Sequence, residues 1–205
     1  MGFVLFVVSY LFGAVPFGLL LGFLTGKDVR LFGSKNIGAT NVWRVCGAGF
    51  GVLTFVFDFL KGYVPVVFLP GLLSVELPFP YSGIVAAAGA VAGHNFPVWL
   101  RFRGGKGVAT SAGAVAGLMW LPFVAAISVF VVTVAVSRYL SLGSLVACAA
   151  LVVGVVVLGD EPFGSGLPLL VLSVLLAVML FVRHRANIHR ILNGTENRFP
   201  PPKNI

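Results

Sequence analysis

The 205-residue chain is 59% hydrophobic and 10% charged, with a mean hydropathy of +1.05, whereas a soluble domain carries roughly 25% charged residues. Apolar runs near the ~20 residues that cross a bilayer recur from end to end, so the composition excludes a soluble domain. The net charge of +8 points to anionic headgroups rather than nucleic acid, because no soluble basic domain is present to carry it.

Residues 3–24 read as a first, retained span, too long and too apolar for a signal-peptide core and with no basic residue before them. A first polar cluster follows, Gly33-Ser34-Lys35-Asn36-Ile37-Gly38-Ala39-Thr40-Asn41. Glycines such as Gly38 let the backbone aim its amides at anionic oxygens, and Ser34, Asn36, Thr40 and Asn41 add neutral donors. Arg44, one helical turn later, offers a planar fork to phosphate. The plainer use of the same residues is a glycine-rich loop that caps the second span.

The second span is predicted over 50–69. Asp58 and Lys61, three apart within it, read as an internal ion pair, since charges inside a membrane pair or line a cavity. The third span, 82–99, carries His94-Asn95 near its end, with His94 a candidate phosphate-binding residue close to a second polar cluster, Arg101-Phe102-Arg103-Gly104-Gly105-Lys106-Gly107. Gly104, Gly105 and Gly107 leave the backbone bare around Lys106, and a helix starting near Val108 brings N-terminal amides that suit phosphate. It is not a Walker loop, because Leu100 holds the first glycine position and Gly107 the place of the Ser or Thr.

Residues 107–137 are long for one span and short for two, with Pro122 near the middle. Charge decides. With spans at 107–119, 121–137, 142–158 and 167–183, every basic residue except Lys61 falls on one face, 13 of the 14, while the opposite loops hold Glu76, Asp160 and Glu161. The expected architecture is therefore an all-α integral membrane protein of seven transmembrane helices, N-terminus outside and C-terminus cytoplasmic. It is a single polytopic domain over 1–205, with 184–205 as a cytoplasmic segment whose proline-rich stretch 199–203 lies extended.

The third cluster, His184-Arg185-Ala186-Asn187, closes the last span; His184 and Asn187 are expected to share a helix face there. Cys46 and Cys148 match no metal or redox spacing. The six acidic residues form no close carboxylate set, and no His-x4-Asp dyad occurs, since Trp99 and His189 occupy the Asp position after the four-residue spacers that follow His94 and His184. Any reaction here must use an already activated donor, with the protein supplying placement and charge neutralisation. No cofactor and no metal site is expected. A transporter for a phosphorylated solute is the other class to weigh, but transporters favour midplane sites and internal repeats, and neither is visible.

At these residues the chain resembles the bacterial acyl-phosphate:glycerol-3-phosphate acyltransferases, the PlsY family. The matching stretches are GSKNIGATNVWR (33–44), DFLKG (58–62), AGHNFPVWLRFRGGKGVAT (92–110), SLGS (141–144) and HRANIHRILNGTENR (184–198). Lys35 departs from the glycine that often stands there. The resemblance implies a membrane enzyme of phospholipid synthesis, working on the cytoplasmic side of the bacterial inner membrane. It would move a fatty acyl group from acyl phosphate to the 1-hydroxyl of glycerol 3-phosphate, giving lysophosphatidic acid and phosphate. It also implies a functional link to an enzyme that makes acyl phosphate. By matching positions, Ser34, Arg44, Lys106, Ser144, His184 and Asn187 surround the two phosphates; Gly38, Gly104, Gly105 and Gly107 supply amides. His184 is the one credible side-chain base, yet the leaving phosphate can itself take the hydroxyl proton.

Overall fold

The computed structural model describes residues 1–200, so the expected extended stretch 199–203 lies largely outside the described residues. Among them every regular element is helical: α1 (Gly2–Gly13), α2 (Phe17–Leu24), α3 (Ala39–Cys46), α4 (Ala48–Leu72), α5 (Tyr81–Asn95), a 3-10 turn (Val98–Leu100), α6 (Val108–Leu118), α7 (Trp120–Ser137), α8 (Leu140–Leu158), α9 (Leu167–Arg183) and α10 (Arg185–Leu192). They form two compact units, Met1–Leu118 and Met119–Ile205.

In the first unit the apolar stretch 3–24 is not one helix. It breaks between α1 and α2 at Pro16, which lacks an N–H and pushes the preceding backbone out of register. The Val15 carbonyl leaves the helical ladder and accepts the Phe17 N–H at 3.1 Å and the Lys61 ammonium at 3.0 Å, and Phe17 stacks on Phe57 with ring centroids 4.9 Å apart. Lipid gives helices no hydrophobic reason to associate, so close backbone approach has to supply the contact energy. Between α1 and α5, Gly13 lies against the Ala90 backbone, and Gly89 and Gly93 against the backbone of Phe6 and Tyr10. Between α4 and α6, Gly62 meets the Thr110 carbonyl and Gly113 the Phe59 carbonyl. A Cβ fits at none of these five positions. The loop after α2 wraps a small apolar core of Leu19, Val29, Ile37 and Val42, all 5% exposed or less.

The second unit pairs α7 with α8 through a tight turn at Arg138 (φ 61°), where Gly143 admits Phe130 and Val134. Helix α9 packs on α8, and α10 lies against both. Residues 107–137 are indeed two helices, but the break falls at Met119, which places Pro122 in the first turn of α7, where its missing N–H costs nothing.

Among the described residues, five helical stretches are long and apolar enough to cross a membrane, or six when the bent pair α9 and α10 counts as one span; α6, at 11 residues, is apolar but shorter. Two expectations need correction. The stretch before α4 contains a separate helix, α3, cut off by Gly47 at φ 96°. The last span does not run straight through His184: α9 and α10 meet there at a 61° bend.

The close approaches can be tested directly. Gly113→Ala should destabilise the protein by about 1–3 kcal/mol, the usual range for overpacking, in SDS-titration unfolding from micelles. Gly71→Ala, in α4 with nothing near its Cα, should be neutral or slightly stabilising.

Candidate phosphate site

The first cluster is organised around one side chain. Asn41, 2% exposed, opens α3; its amide nitrogen donates to the carbonyls of Val29 (2.8 Å), Asn36 (2.8 Å) and Phe32 (3.2 Å). Its oxygen accepts the Ser34 N–H at 2.8 Å. Asn41 therefore shapes the loop and has no capacity left for a ligand. Asn36 behaves alike, its side-chain oxygen taking the Gly38 N–H at 2.8 Å, so the Gly38 amide is engaged within its own turn. The Ser34 and Thr40 side chains remain exposed on the loop, and Arg44 is half-buried on α3. Lys35 sits at φ 56°, a left-handed conformation that glycine adopts without strain.

Two other cations of this loop serve structure. Lys27 donates to the Val45 carbonyl at 2.8 Å, closing the last turn of α3. Arg30 grips Asp28, Nη2 to Oδ2 at 2.7 Å, and this hydrogen bond holds the Asp28 carboxyl below the usual carboxylate range.

The second cluster is braced against the end of α5. Gly104 and Gly105 donate their N–H groups to the carbonyls of Asn95 (3.2 Å) and His94 (3.1 Å). Those carbonyls are left over at the helix C-terminus. The Gly105 Cα faces the His94 ring with no room for a Cβ, and Gly107, at φ 83°, faces the Asn95 amide. Lys106 is thus a half-buried cation between two buried glycines, at the entrance to α6. His94, 4% exposed, belongs to the interior beneath this loop, with Nδ1 3.7 Å from Asp58 Oδ1. Asp58 in turn pairs with Lys61 at 2.8 Å, as the sequence spacing predicts. Leu100 packs on the Leu19–Val29–Ile37–Val42 core, so the two loops of this unit share one support.

The third cluster lies in the second unit, at the bend. His184, 3% exposed, ends α9 and starts α10; its Nδ1 is 2.9 Å from the Leu180 carbonyl. That contact places the proton of the neutral ring on Nδ1 and the lone pair on Nε2. Asn187 donates to Glu196 Oε1 at 2.7 Å, Ser141 to the same oxygen at 3.0 Å, and Arg190 Nε to Oε2 at 2.7 Å. The Glu196 side chain is 6% exposed. Ser144, one turn beyond Ser141 on α8, donates its hydroxyl to the Leu140 carbonyl at 2.8 Å and keeps its oxygen lone pairs.

Glu196 is the residue that sequence reasoning missed. No helical spacing links it to Asn187, because the chain reverses at Gly194 (φ 69°) between them. The available signal was a lone acid between Arg190 and Arg198. Among the described residues, no three His, Cys, Asp or Glu side chains stand close enough to hold a metal ion.

The helical fold and the lysine set between glycines at the entrance to α6 define an integral membrane protein with a candidate anion site. Residues 3–194 match the glycerol-3-phosphate acyltransferase family, and the chain belongs to it. It is 46% identical to the glycerol-3-phosphate acyltransferase of Geobacillus kaustophilus, over 96% of this chain and 95% of that one. Its identity to the Geobacter sulfurreducens enzyme is 43%, over 96% of each chain. Among solved structures it is similar to PlsY (YgiH), an integral membrane glycerol 3-phosphate acyltransferase, in its glycerol 3-phosphate form: TM-score 0.86, 33% identity, 97% of this chain and 95% of that one. The lysophosphatidic acid form of the same protein gives a TM-score of 0.83.

Removing either central side chain should destabilise the fold. Asn41→Ala leaves three carbonyls and an amide without their partner, and Glu196→Ala leaves Asn187 and Arg190 without theirs. Each should lower unfolding free energy by about 1–3 kcal/mol, read by SDS titration, while Ser34→Ala, at an exposed hydroxyl, should leave it unchanged.

Proposed function

We propose that this acyltransferase uses an acyl phosphate as donor, acylates the 1-hydroxyl of glycerol 3-phosphate, and releases lysophosphatidic acid and inorganic phosphate. The observation that carries the reading is the near full-length likeness to a protein solved with glycerol 3-phosphate and with lysophosphatidic acid. The donor follows from chemistry. The residues around Arg44, Lys106 and His184 are cations, amides and hydroxyls suited to phosphate, and acyl phosphate is a mixed anhydride that needs no enzyme nucleophile. The hydroxyl oxygen attacks the acyl carbon, the bond from that carbon to the phosphate oxygen breaks, and phosphate leaves with the electron pair. The proton passes to the leaving phosphate, while the His184 Nε2 lone pair accepts a hydrogen bond from a glycerol hydroxyl and so orients the substrate.

Ser34, Arg44 and Lys106 in the first unit, and Ser144, His184 and Asn187 in the second, are the polar side chains assigned to phosphate. Asn41, Asn36, Gly104 and Gly105 hold the loops that present them. The chain crosses the bacterial inner membrane seven times, α6 completing the count, with the N-terminus outside and the three polar clusters toward the cytoplasm. The one-sided placement of 13 basic residues supports this topology. An acyl-phosphate-producing enzyme must supply the donor.

Purified protein should form radiolabelled lysophosphatidic acid from acyl phosphate and not from the acyl thioesters of coenzyme A or acyl carrier protein; efficient use of a thioester would contradict the reading. Lys106→Ala and Arg44→Ala should each lower kcat/KM at least ~10²-fold, the scale for a donor to charge developing in a transition state. Wild-type turnover would reduce both to headgroup anchors. In a cysteine-free background, single cysteines at Glu76 and Asp160 should label from outside, and those at Lys35 and Asn193 from inside. Labelling of Asp160 from inside would remove one span between 107 and 137.

A further inference from the structure

Beneath the second loop lies a buried charged group to which the reaction gives no role. Asp58 and Lys61 of α4 are 3% and 1% exposed, and His94 of α5 is 4% exposed. Lys61 Nζ lies 2.8 Å from Asp58 Oδ1 and 3.0 Å from the Val15 carbonyl, at 5.8 Å from the Phe17 ring centroid. The same Asp58 oxygen lies 3.7 Å from His94 Nδ1. The opposite edge of that ring rests on the Gly105 Cα, and the His94 and Asn95 carbonyls hold the Gly105 and Gly104 amides. A continuous path of contacts therefore leads from the break in the first span to the backbone of Lys106.

We propose that Asp58 is a positioning residue: with Lys61 it fixes the His94 ring, and through that ring it holds the Gly104–Gly107 loop in its phosphate-binding form before substrate arrives. The inference rests on the reading of Lys106 as a phosphate ligand. At 3.7 Å the Asp58 carboxylate attracts the Nδ1 edge of the ring through its charge rather than through a hydrogen bond, and a neutral amide at the same place loses that attraction. A loop released in this way is reordered when substrate binds, and the ordering free energy is subtracted from binding. Once substrate is in place the contacts to phosphate are those of the wild type. Asp58 thus affects KM and leaves kcat nearly unchanged, a split that general destabilisation does not produce.

The test is Asp58→Asn, measured by hydrogen–deuterium exchange and by steady-state kinetics with glycerol 3-phosphate and acyl phosphate varied in turn. Asp58→Asn leaves Lys61 as an unpaired buried cation, so Asp58→Asn/Lys61→Met is made in parallel; removing both charges together avoids that penalty. The expected result is faster exchange confined to 104–107, a rise of tenfold or more in KM for at least one substrate, and kcat within threefold of wild type. Unchanged exchange at 104–107 with both KM values unchanged would overturn the proposal. So would faster exchange throughout residues 1–118 with a matching fall in kcat, which would make the pair a purely structural one. If acyl phosphate proved not to be the donor, the exchange measurement and the glycerol 3-phosphate KM would still decide the question.

Discussion

A backbone carbonyl that leaves the helical ladder inside a membrane must find a donor within the protein, because lipid offers none. Most polar side chains of this chain answer that constraint before they answer any substrate. Lys61 takes the Val15 carbonyl where Pro16 breaks the first span, and Asn41 takes three carbonyls of the following loop. Gly104 and Gly105 take the last carbonyls of α5, while at the bend between α9 and α10 the Leu180 carbonyl keeps its ladder bond from the His184 N–H and meets His184 Nδ1 as well. Each broken helix end is a place where the chain can display polar groups at the membrane surface, and each needs a cap to persist.

The caps and the candidate ligands are therefore interleaved. Asn41 and Asn36 shape the turn that exposes Ser34 and leads into the helix carrying Arg44. The loop before Lys106 is held to the end of α5 by the Gly104 and Gly105 amides, which fixes the backbone that carries this candidate phosphate ligand. At the bend, Nδ1 of His184 is committed to a carbonyl, which leaves Nε2 as the nitrogen with a lone pair. Glu196 holds Asn187, Arg190 and Ser141 on one carboxylate and so keeps α10 folded back on α8.

The sequence made the helical class, the three polar clusters and the Asp58–Lys61 pair legible, because hydropathy runs and i,i+3 spacing are local signals. Which members of a cluster face inward was not legible. Asn41 and Thr40 are adjacent and chemically alike, yet one is buried with four backbone partners and the other is exposed. Only the path of residues 29–36 around Asn41 separates them. The bend at His184 was equally hidden, because no proline or glycine marks it: the imidazole itself engages the ladder at Leu180. Helix α6 is counted as a span from the placement of basic residues on one face, and its 11 residues are bounded by Gly107 at one end and Met119 at the other.

The capping account is tested most directly at Val15, where proline breaks a span and a buried lysine supplies the donor. A single 13C=18O label at the Val15 carbonyl, introduced by peptide ligation at Cys46, gives that group its own infrared band. In the wild type the band should lie at the low frequency of a carbonyl bonded to a cation, and in Lys61→Met it should move to higher frequency while the remaining amide bands stay in place. An identical Val15 band in the two proteins would contradict the account, because the Phe17 N–H alone would then satisfy the carbonyl and Lys61 would add nothing.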